Sequence, residues 1–553
     1  MRFEERVLDA YENMKLVRFD AIPQSYPGGV YWDDLPETDR AGVLKASFYE
    51  NGKLKQYYSK LENHVGVIAA TRLGKTTSYI IPLILSYSRQ KKKRSMFITD
   101  PKGEIYRTTA ETLRREGYKV ILINFRNSAR SECWNPFSSI FREYMALRDV
   151  GNTVEFFTEK GVKKARFFDR VYEDQKSLDE AVEVETLLRQ NAVNAKIDDL
   201  SNMIVKVTKT DDIWDYAARD LFKAIVLGML EDAELADNPI TEDTFSLNTV
   251  LNILDSFVTG SRFDDGGFFS SRPSNSMAKS MADKYLSIAA EKTRDSYITT
   301  FRSKLSDYYE VQTRTITMAN SLDWEAIARS TDPVAIFIDF RDELKSQYST
   351  ITLYVQDMYR MLIEAANDSP TFKLQTPWYF VLDEFGNFPA IKDFDTVISA
   401  CAGRNIWFVL VLQSYAQLDH VYKEDVAKII RDNLNVSVFF GSNNLTTLQT
   451  FSDECGNFTR FAPSSALEGG RRGELGTLKH ETIPLMPRSK LCALKPGECV
   501  VREVNDDSIL FSKMVRYFEC DEMNSLPKAR EEEYVATINP LKRKYNYRPK
   551  RRK

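Results

Sequence analysis

The segment that most constrains this chain runs from Val65 to Thr77. An apolar stretch, Val65-Gly66-Val67-Ile68, passes into Ala69-Ala70-Thr71-Arg72-Leu73-Gly74-Lys75-Thr76-Thr77 and then into a helical pattern over Ser78 to Ser88. Strand, loop and helix in that order are the setting of a phosphate-binding loop. Gly74 lets backbone N–H groups wrap closely around a phosphate, and the helix N-terminus adds partial positive charge there. In that reading Lys75 reaches the β- and γ-phosphates of ATP, Thr76 binds Mg2+, and Thr77 donates to the α-phosphate. Ala69, Thr71 and Arg72 belong to the same nucleotide-binding loop, with Ala69 standing where a glycine usually opens it. A methyl fits that place if the backbone there does not need a positive φ.

The loop belongs to a longer pattern. Short apolar runs recur at Val65–Ala69, Met96–Thr99, Val120–Asn124, Val334–Asp339, Trp378–Asp383, Ile406–Leu412 and Val436–Phe440, several followed by helical periodicity. Runs apolar at every position suit strands buried on both faces, so the expected fold is α/β with a mainly parallel sheet. Between the third and fourth runs the pattern turns helical: Trp214, Ala217, Ala218, Leu221, Ile225 and Met229 recur at spacings of three and four. This predicts a helical domain over 137–332 inserted between two parts of the α/β domain, 61–136 and 333–520. An N-terminal extension (1–60) and a C-terminal one (521–553) flank them. Thr259 to Ser276 reads as too polar and glycine-rich to pack, and Pro463 to Lys479 as a second loop. The charged runs Lys160 to Arg166 and Glu173 to Glu185 read as solvated helix faces.

Three further places carry chemistry. Trp378-Tyr379-Phe380-Val381-Leu382 ends in Asp383-Glu384. Asp383 is expected to hold Mg2+ and Glu384 to act as general base on the attacking water. Gln413, at the end of the following apolar run, is placed to contact the γ-phosphate or the water. Arg404, just before that run, is a candidate arginine finger for a neighbouring subunit's nucleotide, or else a surface arginine.

Taken together these residues resemble the type IV secretion coupling proteins of the TraG/TraD type, ring ATPases of conjugative DNA transfer. The matching elements are the phosphate loop with Arg72 inside it, Asp100-Pro101-Lys102-Gly103-Glu104, Asn135-Pro136, the helical insertion, Asp383-Glu384-Phe385, and Gln413-Ser414. They extend from about Val65 to Phe518. The resemblance implies a RecA-like P-loop motor domain, an all-helical domain facing the substrate, and a homo-hexamer with ATP and Mg2+ at its subunit interfaces. It also implies DNA bound without sequence preference, a relaxase and the subunits of a secretion channel as partners. Beside it, Pro101 is expected to stop a strand, Gly103 to permit the turn, and Glu104 to start a helix. Two other readings fit the same motifs: a double-stranded DNA translocase of the FtsK/HerA class, and a docking adaptor that binds nucleotide without motor activity.

Members of that family usually begin with transmembrane helices, whereas no apolar stretch here approaches the roughly 20 residues needed to span a bilayer. The expectation is therefore a cytoplasmic protein at the inner face of the membrane, with any anchor supplied by another polypeptide. Charge adds a second candidate attachment. Overall, 76 Lys+Arg stand against 79 Asp+Glu, for a net charge of −3. Yet Lys542 to Lys553 hold eight basic residues and no acid, a tail suited to DNA phosphates or anionic lipid. The six cysteines form no C-x-x-C pair, which suits reduced and mostly buried thiols.

Overall fold

A computed structural model describes residues 15–18, 30–31, 42–50, 53–159, 162–207, 212–260, 263–463, 478–506 and 508–538. The basic tail and most of the loop after Pro463 lie outside these residues. Ten strands form one sheet: β1 (Lys15–Arg18), β2 (Val65–Ala69), β3 (Ser95–Asp100), β4 (Lys119–Asn124), β5 (Val334–Asp339), β6 (Trp378–Leu382), β7 (Ile406–Leu412), β8 (Val436–Gly441), β9 (Glu498–Glu503) and β10 (Ser508–Lys513). Their order is β1-β10-β9-β8-β2-β7-β6-β3-β5-β4. From β8 to β5 every printed pairing is parallel, while β9 pairs antiparallel with both β8 and β10. The seven apolar runs are thus seven strands of a RecA-like, mainly parallel sheet. Every residue of β2, β3, β5, β6 and β8 is buried, which is why these strands lack the alternation of a one-sided sheet.

Packing divides the chain into two compact units, one of Met1–Ile121, Ile327–Phe340 and Met361–Glu533, the other of Leu122–Ala326, Arg341–Arg360 and Tyr534–Lys553. In the first unit, Leu44–Glu50 and Lys53–Tyr58 form an antiparallel pair joined by Val30–Tyr31. Lys45 is buried there, with its ammonium 2.8 Å from Glu503 and 3.1 Å from Asp506. The paired carboxylates offset the cost of burying that charge.

The second unit is built on helices, chiefly Gln175–Ile204, Ile213–Asp232, Leu247–Asp255, Met277–Leu286 and Glu291–Lys304. Ala217, Ala218, Leu221, Ile225 and Met229 all lie in its core, as their spacing predicts. Trp214 sits at the margin, 36% exposed, with its ring 4.6 Å from that of Tyr297.

Two expectations for this region change. The inserted segment is not helical throughout, because Val154–Glu159, Val162–Phe167 and Arg170–Tyr172 form a three-stranded antiparallel sheet. Most of the charged run thought to be a helix face is its middle strand. Ala165 and Phe167 are buried there at a spacing of two, a period too short to recognise among lysines. Glu173 to Glu185 does enter a helix, Gln175–Ile204.

Thr259 to Ser276, read as unable to pack, buries Phe268 and Phe269. Asp265 makes this possible by accepting hydrogen bonds from the backbone N–H groups of Gly267, Phe269 and Ser270 at 2.9, 2.6 and 2.7 Å. One carboxylate does what a regular ladder would do elsewhere.

Candidate active site

β2 runs into the loop Ala70–Gly74, and the helix begins directly after it. Lys75–Ile80 is a π-helical turn that continues as the α-helix Ile81–Arg89, so the helix starts three residues earlier than the sequence pattern suggested. Lys75, Thr76 and Thr77 therefore form its first turn, where backbone N–H groups have no partner inside the helix. Gly74 holds φ at 89°, and a Cβ there would lie 2.8 Å from Ser78 Oγ. Both the conformation and the space demand glycine. Ala69 ends β2 without a positive φ, which is the condition under which its methyl is harmless. Ala70 N donates to Gly441 O at 2.9 Å, so the end of β8 braces the loop.

In the sheet order, β7 lies between β2 and β6, and all three are parallel. Their carboxyl ends, where open α/β sheets bind ligands, bring the predicted residues together. Lys75 Nζ touches Glu384 Oε1 and lies 3.3 Å from Asp383 Oδ1. Thr76 Oγ1 donates to Asp383 Oδ2 at 3.2 Å. Gln413 Nε2 donates to Glu384 Oε2 at 3.0 Å. Thr77 Oγ1 turns back onto Gly74 O at 3.3 Å, and Thr71 and Arg72 are exposed on the loop.

Glu384 is held at φ 57°, a left-handed conformation that costs a non-glycine residue roughly 1 kcal/mol. Its N–H donates to Asp383 Oδ1 at 2.9 Å, which steadies the turn. Burial pushes the Asp383 carboxyl up from its ordinary value, the Lys75 charge opposing it. Burial would lower the Lys75 ammonium, but the Asp383 and Glu384 charges outweigh it, and the net shift is upward. The site thus holds one firmly protonated cation between two carboxylates.

Three contributors had not been singled out from sequence. Asn387 Nδ2 makes a second contact with Glu384 Oε2 at 3.3 Å. Gln417 Oε1 accepts from Gln413 N at 3.0 Å, and Thr99 Oγ1 donates to Asp383 O at 3.2 Å. Asn387 three residues after Glu384, and Gln417 one helical turn after Gln413, are spacings that could have flagged them. Thr99 needed the neighbouring strand.

Arg404 does not join this group. It precedes the amino end of β7, with Nη1 3.0 Å from Ala400 O and Nε 3.3 Å from Asn367 Oδ1. A seven-residue strand separates it from the carboxyl edge, roughly 23 Å. Within its own chain it does not reach the Lys75 site.

The family profile described as type IV secretory system conjugative DNA transfer matches residues 29–541. The chain belongs to this family. No curated protein sequence matches it. Among solved structures, the plasmid coupling protein TrwB in complex with ADP and Mg2+ is similar at TM-score 0.57 and 14% identity, over 91% of this chain and 94% of that one. TrwB with a non-hydrolysable ATP analogue gives 0.56 and 14%, over 91% and 93%. The unbound TrwBdeltaN70 form gives 0.55 and 15%, over 82% and 85%. At these identities the likeness concerns the fold.

In this conjugative DNA transfer protein, Asp100-Pro101-Lys102-Gly103-Glu104 ends β3 and opens the helix Glu104–Arg115, with Gly103 at φ 68°. Asp100 Oδ2 accepts from Tyr106 N at 2.7 Å, so the aspartate as well as Glu104 serves the helix start. Lys102 is exposed. No helix among the described residues is long and apolar enough to cross a membrane.

Proposed function

We propose that this chain hydrolyses ATP with Mg2+ and uses the energy to drive DNA carrying a relaxase into a type IV secretion channel. The supporting observation is the convergence of Lys75, Thr76, Asp383, Glu384 and Gln413 at the carboxyl ends of three adjacent parallel strands. The residues fit the ligands they would hold. Gly74 leaves the space of a Cβ open beside the first helical turn, and the donor set is an ammonium, two hydroxyls and unpaired N–H groups. A hydroxyl and a carboxylate oxygen, from Thr76 and Asp383, are the hard donors that Mg2+ takes.

Lys75 would exchange Glu384 for the β- and γ-phosphate oxygens, Thr77 would turn from Gly74 O to the α-phosphate, and Thr76 and Asp383 would hold Mg2+. The bound ion neutralises charge on the phosphates. Glu384, released from Lys75, would accept the proton of the attacking water, and Gln413 would hold its carboxylate in place. Ala69, Thr71 and Arg72 frame the loop entrance.

Arg404, remote from its own site, would serve the nucleotide of a neighbouring copy in a ring of six. DNA would be bound without sequence preference, and a separate protein could anchor the ring at the cytoplasmic face of the membrane.

The test is ATP turnover and particle mass, measured with and without single-stranded DNA. DNA-stimulated hydrolysis with a six-fold rise in mass is expected, and Arg404→Ala should lose turnover while binding ATP as wild type does. Nucleotide binding without turnover under every condition would overturn the motor reading.

A further inference from the structure

The C-terminal segment is anchored in the second unit beside an acidic cleft. Glu132 is 2% exposed, and its Oε1 accepts three hydrogen bonds: from Tyr534 Oη at 3.0 Å, Thr537 N at 2.9 Å and Thr537 Oγ1 at 3.0 Å. This carboxylate clamps the chain only five residues before the basic tail begins at Lys542. The next residue, Cys133, exchanges backbone bonds with Ser321: its N–H meets Ser321 Oγ at 2.9 Å, and its carbonyl takes Ser321 N at 3.1 Å. Ser321 lines a cavity of about 430 Å³.

The charge and polarity of that cavity point to a cationic occupant. Glu242, Asp243 and Asp323 line it against a single cation, Arg142. Arg142 pairs with Glu242 at 2.8 Å, with Asp323 at 3.4 Å and, more loosely, with Glu325 at 3.9 Å. One guanidinium among four carboxylates leaves the region strongly negative, and a concave wall concentrates that field. Ser138, 4% exposed, also lines the cavity, and its buried Oγ has no partner among the described residues. The cleft is therefore built with polar capacity in excess of its internal contacts.

Reach and charge select the occupant. Five extended residues span roughly 17 Å, and the eight cations that follow Thr537 are the densest positive run in the chain. We propose that the basic tail, Lys542–Lys553, docks in the acidic cleft lined by Arg142, Glu242, Asp243, Ser321 and Asp323 of the same chain. Clamping of Thr537 by Glu132 raises the tail's effective concentration at the cleft, so modest ionic contacts suffice. While docked, the tail is withheld from DNA phosphates and lipid headgroups.

The experiment uses the full chain. A zero-length carbodiimide joins a lysine amine to a carboxylate only where they touch, and the products are mapped by mass spectrometry. Amide links from Lys542, Lys544, Lys550 or Lys553 to Glu242, Asp243 or Asp323 are expected at low salt and should be lost near 1 M salt, where the screening length falls to about 3 Å. In an equal mixture of 15N-labelled and unlabelled chains, each linked pair should carry a single label. Mixed labels would place the tail on a second copy and overturn the proposal, as would tail links only to other acids.

Trypsin supplies a second readout. Cleavage within the tail should quicken about fivefold when Glu242→Gln, Asp243→Asn and Asp323→Asn are combined, because proteolysis follows the undocked population. Should that variant not fold, Lys550→Gln, Arg551→Gln and Arg552→Gln alter only the tail. Cleavage at Lys542 to Lys544 should then quicken likewise, and unchanged rates would refute the docking.

Discussion

Gln413 Nε2 and Lys75 Nζ grip opposite oxygens of one carboxylate, Glu384, the amide at 3.0 Å on Oε2 and the ammonium on Oε1. The amide bond leaves Oε1 available once Lys75 turns to a phosphate, so Gln413 orients the base without neutralising it. Gln413→Ala is expected to lower ATP turnover roughly 10²-fold, as loss of a preorganised donor does, with nucleotide affinity changed less than about twofold. Single-turnover hydrolysis beside equilibrium binding checks the split. Equal losses in both would assign Gln413 to binding.

Lys75→Ala and Glu384→Gln should separate binding from chemistry. Without Lys75 the phosphates lose their cation while Asp383 and Glu384 are left facing each other's charge, so both binding and turnover are expected to vanish. Glu384→Gln keeps the size of the side chain and still permits a contact with Gln413, but removes the base. It should bind ATP at least as well as wild type and hydrolyse it about 10² to 10⁴ times more slowly. Isothermal titration and phosphate release measure the two.

Acid should destabilise the first unit through His64. The imidazole is buried, its Nδ1 accepts from Phe408 N at 3.0 Å, and burial pushes its pKa down to about 4. Between its unfolded value of about 6.5 and 4, the unfolded chain takes up the proton and the folded one does not. Stability is therefore unaffected by this group above pH 6.5 and falls as the pH drops toward 4, by roughly 3 kcal/mol in total. Urea midpoints at pH 7 and 4.5 should show the fall, and His64→Gln should make it shallower by that order. An unchanged slope would mean that other groups carry it.

Arg272 is the charge on which the second unit most depends. Its guanidinium, 2% exposed, lies 2.9 Å from Asp232 and 2.9 Å from Glu231, with Phe268 against its face at 4.6 Å. Arg272→Ala would strand the buried Asp232 carboxylate and is expected to cost about 3–5 kcal/mol. The reading is earlier unfolding of the full chain in urea. Pairing Arg272→Met with Asp232→Leu, which removes both charges, should restore much of the loss.

How much was legible beforehand follows from which physics is local. The apolar runs read correctly as strands because a strand buried on both faces is apolar at every position, and the phosphate loop read correctly because its glycine is demanded by a torsion. The hairpin Val162–Phe167 was missed because pairing, not composition, makes it a strand. Thr259 to Ser276 was missed because a single side chain, Asp265, satisfies a backbone that looks unsatisfiable in sequence. The site residues Lys75, Thr76, Asp383, Glu384 and Gln413 were all named from motif and position, whereas Arg404 sits at the opposite end of its strand from them.

The sequence by itself determined that this chain builds a mainly parallel α/β sheet with a phosphate loop after its first central strand, since each of those features needs only neighbouring residues. Tertiary structure alone decided the order β2-β7-β6. Strand order is set by which buried faces and crossovers pack, and no local pattern encodes it. That order sets Gln413 between the lysine and the acidic pair, turning residues more than 300 positions apart, Lys75 and Glu384, into one ion pair.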